Sequence, residues 1–107
     1  MHTLKIEHAI GDFETWRAAF ERDPARRQQS GVRRYRVFRP VDDPRYVLID
    51  LEFDGPAEAE AFLESMRKVW TRVDLSPALG AAGAVRASPR ARVVEEVDSR
   101  EYGTGSI

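Results

Sequence analysis

The nine residues Arg45 to Phe53, "RYVLIDLEF", limit what this chain can fold into more than any other segment. Val47, Ile49, Leu51 and Phe53 form an unbroken apolar row at period two, and Tyr46, Leu48, Asp50 and Glu52 fill the alternate positions. That pattern predicts a strand with one face buried under other elements and one face left to solvent or a partner. A sheet covered on one side only is the architecture that such a strand requires.

The rest of the chain supplies what would cover it. His2 to Ile10 alternates as well, with His2, Leu4, Ile6, His8 and Ile10 on one face and Thr3, Lys5, Glu7 and Ala9 on the other; Gly11 ends the strand. Asp12 is placed to cap a helix whose Phe13, Trp16 and Phe20 make an apolar stripe. Asp23-Pro24 predicts a second, short helix through Gln29, with Gly31 as its stop. Val32 to Val41 is a less regular strand, and Asp42-Asp43-Pro44 is a turn. After the Arg45 strand, Asp54 or Gly55 caps a helix with Pro56 in its first position and a stripe of Ala59, Phe62, Leu63, Met66 and Trp70. A short helical piece near Ser76 to Ala81 ends at Gly83, and Arg90 to Val97 is the last strand.

The order is β-α-β-β-α-β, the split βαβ arrangement of an α+β, ferredoxin-like protomer. Its four-stranded antiparallel sheet carries both helices on one face. Residues 1–97 are read as one such domain, and 98–107, polar and glycine-rich, as a tail that frays or docks on a partner chain.

With 107 residues, 42% hydrophobic and 33% charged, the chain has the composition of an ordinary globular protein. Its formal net charge of -1 gives no general attraction to nucleic acid or anionic membrane. Fifteen of its seventeen cations are arginine, a skew read chiefly as codon bias, although arginine clamps anions better than lysine. The absence of cysteine removes disulfides, thiolate catalysis and cysteine-based metal sites. The first ten residues do not read as a signal peptide and no run approaches a membrane span, so a cytoplasmic protein is expected.

On the helix-covered face His8 is the one ionisable residue of its strand besides the terminal His2. An unpaired imidazolium there would be costly, so His8 is expected neutral or hydrogen-bonded. Two readings stand side by side. In one, His8 is a core histidine with a partner. In the other, it is the polar group of an apolar small-molecule pocket, with general-base catalysis the narrower form of that reading. Trp16, Phe20, Phe62, Met66 and Trp70 would be the ligand-binding walls. The opposite face carries Lys5, Glu7, Asp50 and Glu52, joined by Arg34 and Arg36, with Tyr46 and Leu48 adding apolar area; a homodimer through this open face is the preferred reading.

Nucleic-acid binding fits poorly, because an RNA-binding sheet of this topology needs basic and aromatic side chains where Asp50, Glu52 and Glu7 stand. No metal site or cofactor is expected. The two histidines lie six apart on one strand, and neither a phosphate-binding glycine loop nor a serine nucleophile motif occurs.

The segments "HAIGDFETWRAAFERD", "RRQQSGV" and "VFRPVDDPRYVLIDLEFDGPAEAEAFLES" resemble small bacterial members of the dimeric α/β-barrel superfamily, to which antibiotic-biosynthesis-monooxygenase-like proteins belong. The resemblance spans about residues 3 to 97 and is carried most specifically by His8 with Asp12 and Trp16, by the Asp42 to Pro44 turn, and by "EFD" before the second helix. It implies a protomer whose sheet pairs with a partner's into a barrel. It also implies a cavity between sheet and helices, which better-known relatives use for aromatic polyketides, quinols or haem. Several relatives place an asparagine in that pocket; this chain has none, and no catalytic residue carries over by position. The expected function is a small dimeric protein that binds an apolar, aromatic small molecule, with metal-free oxygenase, cyclase or isomerase chemistry as its enzymatic form. The alternatives are a non-catalytic ligand-binding or stress-associated dimer, and a structural protomer whose pocket is filled by its own side chains.

Overall fold

The two most regular alternating segments pair with each other at the middle of the sheet. In the computed structural model, which describes residues 1–22, 26–70 and 89–103, the elements run β1 (His2–Ala9), α1 (Phe13–Glu21), β2 (Arg34–Phe38), β3 (Tyr46–Phe53), α2 (Pro56–Trp70) and β4 (Arg90–Glu95). Four strands form one sheet in the order β2-β3-β1-β4. Every neighbouring pair is antiparallel. His2 lies opposite Phe53 and Ala9 opposite Tyr46; β4 flanks β1 from Glu95 at His2 to Arg90 at Glu7; β2 flanks β3 from Arg34 at Glu52 to Phe38 at Leu48. This is the ferredoxin-like order that the alternation and the helix stripes predict.

The register follows from burial. A slip of β1 by one residue against β3 would turn Leu4 and Ile6 to the face opposite Ile49 and Leu51. In register they form the floor of the core with Val47 and Phe53, of which Leu4, Val47 and Phe53 are fully enclosed. α2 lays Ala59, Phe62 and Leu63 onto that floor, with Met66 and Trp70 half-covered farther along the same stripe. Its Pro56 occupies the first helical position, Glu58 lies in the first turn, and Arg67 and Lys68 in the last, each on the side the helix dipole favours. α1 starts at Asp12, which has extended backbone and accepts from the Thr15 amide at 2.8 Å and from the Thr15 hydroxyl at 2.8 Å. Those bonds hold its carboxyl below the usual range.

Several boundaries differ from the sequence expectation; β1 ends at Ala9 rather than Ile10 and β3 starts at Tyr46 rather than Arg45. β2 is shorter than Val32 to Val41. Val32 is instead buried at the end of a Schellman motif, in which its amide donates to the Arg27 carbonyl and the Gly31 amide to that of Gln28. Gly31, at φ +102°, is the stop that the sequence indicates. The part of the expected short helix that is described, residues 26–29, is turn and irregular backbone rather than regular helix, although Ser30 after it donates one helix-type bond to Arg26 at 2.9 Å. At the other end of β2, the Asp43 amide donates to the Pro40 carbonyl and the Asp43 carboxylate accepts from the Arg45 amide, so the Asp42-Asp43-Pro44 turn begins earlier than expected. β4 ends at Glu95 rather than Val97. The expected starts at Asp23-Pro24 and the piece at Ser76 to Ala81 lie outside the described residues. No helix among the described residues is long and apolar enough to cross a membrane.

Candidate functional site

Two places on this frame hold side chains with chemical potential: the open sheet face, and the space between α1 and the edge strand β2.

On the open face the alternation of three strands lines up oppositely charged rows. Asp50, at the centre of β3, accepts from Lys5 Nζ at 3.0 and 3.1 Å. Glu52 accepts from Arg34 Nη2 at 2.7 Å, which raises the guanidinium above its ordinary value. Arg36 lies farther from both carboxylates, 3.9 Å from Asp50 and 3.6 Å from Glu52. At the end of the sheet Tyr46 donates its hydroxyl to Glu7 at 2.6 Å; that bond first, then burial, pushes the phenol up. The row is finished by Leu48, half-buried, and Phe38, 46% exposed. Carboxylates saturated by neighbouring cations occupy the positions where an RNA-binding sheet would stack bases.

On the helix side the aromatic residues of α1 meet those of β2. Phe13, Trp16 and Phe20 fall on one stripe because three and seven residues bring side chains to the same side of a helix. Tyr35 and Val37 face them because Arg34 and Arg36 take the open face and the strand alternates. Between these walls is a cleft of about 310 Å³. The described residues that line it are Phe13, Trp16, Arg17, Phe20, Glu21, Tyr35, Arg36 and Val37. Trp16 and Phe20 stack with centroids 4.9 Å apart at 21°, and Phe20 meets the Tyr35 ring edge-on at 5.1 Å. Guanidinium groups cap the row: Arg27 sits 3.9 Å above Phe20 and donates to the Phe20 carbonyl at 2.8 Å, and Arg39 sits 4.6 Å from the centre of Phe13.

His8 is buried on the same face of the sheet, with its ring centre 6.4 Å from that of Trp16. Its Nδ1 is 3.0 Å from the Ala9 carbonyl oxygen. A carbonyl only accepts, so Nδ1 carries the proton and Nε2 holds the lone pair. Burial lowers the imidazole below its ordinary value, more than the Ala9 bond raises it. The result is a neutral imidazole with its basic nitrogen unbonded among the described residues. Trp16 is its neighbour on the way to the cleft, and His8 is not among the cleft's lining residues.

Of the expected ligand-binding residues, the structure brings Trp16 and Phe20 into the cleft. Phe62 is in the core against Phe53, with centroids 5.7 Å apart, and Met66 and Trp70 pack on the core along α2; these three lie outside the α1–β2 cleft. Tyr35, Val37 and Arg17 line it without having been singled out from the sequence. The signal for Tyr35 and Val37 was available. Once Arg34 and Arg36 are assigned outward, the residues between and beyond them must face α1. Arg17 had no such signal, being simply the exposed neighbour of Trp16. No group of three or more potential metal-ligating side chains occurs among the described residues.

No protein-family model matches the sequence, and no curated protein matches it. Solved structures do match the fold. A crystal structure of an antibiotic biosynthesis monooxygenase superposes with a TM-score of 0.56 over 92% of this chain and 100% of its own, at 16% identity. A dimeric ferredoxin-like protein from an uncultured marine organism superposes with a TM-score of 0.57 over 94% of this chain and 96% of its own, at 13% identity. At those identities the likeness is one of fold. The chain has the ferredoxin-like fold, shared over more than nine-tenths of its length with structures of antibiotic-biosynthesis-monooxygenase-like and dimeric ferredoxin-like proteins.

Proposed function

We propose that this protein binds an apolar, aromatic small molecule in the cleft between α1 and β2 and works as a homodimer paired through the open sheet face. The observation that carries the first part is the cleft itself. It has about 310 Å³ of space walled by Phe13, Trp16, Phe20, Tyr35 and Val37 on a sheet-and-helix frame. That volume is at the small end of ordinary ligand sites, and apolar walls with a few polar groups are their usual lining. The dimer reading draws support from the ion pairs of the open face, which are already satisfied within one chain, and from a fold neighbour described as dimeric.

Binding without chemistry is the form of this reading favoured here, because Trp16 stands beside His8 and the lining of the cleft does not include the imidazole. Catalysis by His8 as a general base is the second reading, favoured by the neutral ring and its unprotonated Nε2. It needs the Trp16 indole to swing aside when ligand enters.

The test is calorimetric titration of the protein with planar bicyclic aromatics, in parallel with Phe20→Ala and Trp16→Ala. Saturable binding by the wild type, weakened at least about tenfold by Phe20→Ala, supports the cleft as the site. Binding that is indifferent to both substitutions moves the site elsewhere. A chemical change in a bound aromatic that disappears in His8→Ala while binding persists would favour the catalytic reading.

A further inference from the structure

We infer that the α1–β2 cleft selects a planar aromatic carboxylate over the neutral aromatic of the same shape, an inference that rests on the reading of this cleft as the ligand site. The argument is the surplus of guanidinium groups around an aromatic slot. Arg17 lines the cleft, and Arg27 and Arg39 lie over the rings of Phe20 and Phe13 at its two ends. Against these three cations the lining has one carboxylate, Glu21.

Two observations show that the charge of Arg39 and of Arg17 is open to a ligand. Arg39 enters no ion pair among the described residues, its one specific contact being the face of Phe13. Arg17 does pair with Glu21 at 3.3 Å, but both side chains are more than half exposed, and a solvent-screened pair of that kind is readily exchanged for a better partner. A ligand carboxylate entering beside α1 can offer Arg17 or Arg39 a planar, two-oxygen acceptor, the geometry that guanidinium binds best. Apolar walls on both sides lower the local dielectric and strengthen that contact relative to open water. The aromatic part of the same molecule would stack in the row that Trp16, Phe20 and Tyr35 already form. A neutral aromatic gains the stacking and not the charge-assisted bonds. A purely aliphatic anion gains the reverse.

The experiment is isothermal titration of the full chain with 2-naphthoate and with 2-naphthamide, its uncharged counterpart, at low and at high salt. A third series uses the Arg17→Gln/Arg39→Gln double variant, with circular dichroism to confirm its fold. The expected result is at least about tenfold tighter binding of 2-naphthoate at low salt, a preference that shrinks in high salt and in the double variant, with 2-naphthamide affinity nearly unchanged by either. Equal affinities for the two compounds overturn the charge selection and leave the cleft as an aromatic site. A preference for 2-naphthoate that survives intact in the double variant overturns the assignment to these arginines. Binding of neither compound removes the ligand reading of the cleft and this inference together.

Discussion

The indole of Trp16 lies between two chemically different neighbours: the neutral imidazole of His8, with ring centres 6.4 Å apart, and the phenyl ring of Phe20, stacked at 4.9 Å. One side chain thus closes the sheet side of the fold over a buried base and forms the wall of the cleft. The arrangement follows from two periodicities meeting. Period two puts His8 on the covered face of β1, and the helical repeat after the Asp12 cap brings Trp16 back over it.

The first prediction concerns pH. Unfolded, His8 takes up its proton near the ordinary value of 6.5; folded, burial lowers that value. Between the two, the unfolded chain binds more protons, so stability falls as pH falls. The contribution of His8 is fully present above the unfolded value and is lost progressively below it. Denaturant titrations from about pH 7.5 down to about pH 5 should show a steeper loss of stability in the wild type than in His8→Gln. All other groups are common to the two proteins, so the difference isolates His8. Parallel curves would mean that the buried ring is not resisting protonation.

Gly31 gives a second, local prediction. Its φ of +102° lies where a side chain is strained, and a Cβ there would stand 3.4 Å from the Glu58 Cβ. Gly31→Ala should therefore cost about 1–2 kcal/mol in urea denaturation. Glu58→Ala in the same background should restore little, because the cost lies in the backbone and not in the contact. Full recovery in the double variant would reverse that assignment.

Those two positions also show how the sequence could be read and where it could not. His8 and Gly31 were legible because each breaks a rule that its surroundings obey, a polar ring in an apolar row and a glycine after a helical turn. The order of elements, the covered face of β1 and β3, and the α1 stripe were legible for the same reason, since burial on one side imposes a period. The ends of β2 were not. An edge strand with Arg33, Arg34, Arg36 and Arg39 in and around it has little buried surface to mark where pairing stops, and its limits are set by the Schellman turn before it and the Asp43 turn after it. The cleft was half legible. Trp16 and Phe20 lay on the expected stripe. Which strand would face them depended on how far α1 sits toward the β2 side, a tertiary fact that no local pattern encodes. Phe62 was a reasonable aromatic wall by its spacing, yet α2 spends that ring against Phe53.

The charged row of the open face yields a third prediction. Asp50 is buried although it lies on the uncovered side of the sheet, because Lys5 and Arg36 lean over it. Asp50→Ala removes both acceptors from Lys5 Nζ and leaves cations crowded together, and should cost about 1–3 kcal/mol. Lys5→Met should cost less, under about 1 kcal/mol, because Lys5 is half exposed and Asp50 keeps Arg36 nearby. Urea denaturation of the two variants under identical conditions gives the comparison, and a larger loss from Lys5→Met would contradict it.

The last prediction concerns what covers that face. A sheet face is costly to bury when its charges face the partner unpaired, since each must leave water. Here the carboxylates of Asp50, Glu52 and Glu7 already accept bonds within the chain, from Lys5, Arg34 and Tyr46, so much of that cost is met before association. Beside them Phe38 and Leu48 offer apolar area on adjacent strands, directly opposite each other. Two copies meeting face to face would bring these apolar ends and satisfied rows into a self-complementary contact. Sedimentation of the wild type should therefore report a dimer at about 10–100 µM, and Leu48→Lys should weaken association by about tenfold or more. The substitution lies on the opposite side of the sheet from the cleft, so its binding of aromatic ligand should be retained. A wild-type chain that sediments as a monomer throughout that range would leave the sheet face in water and would separate ligand binding from association.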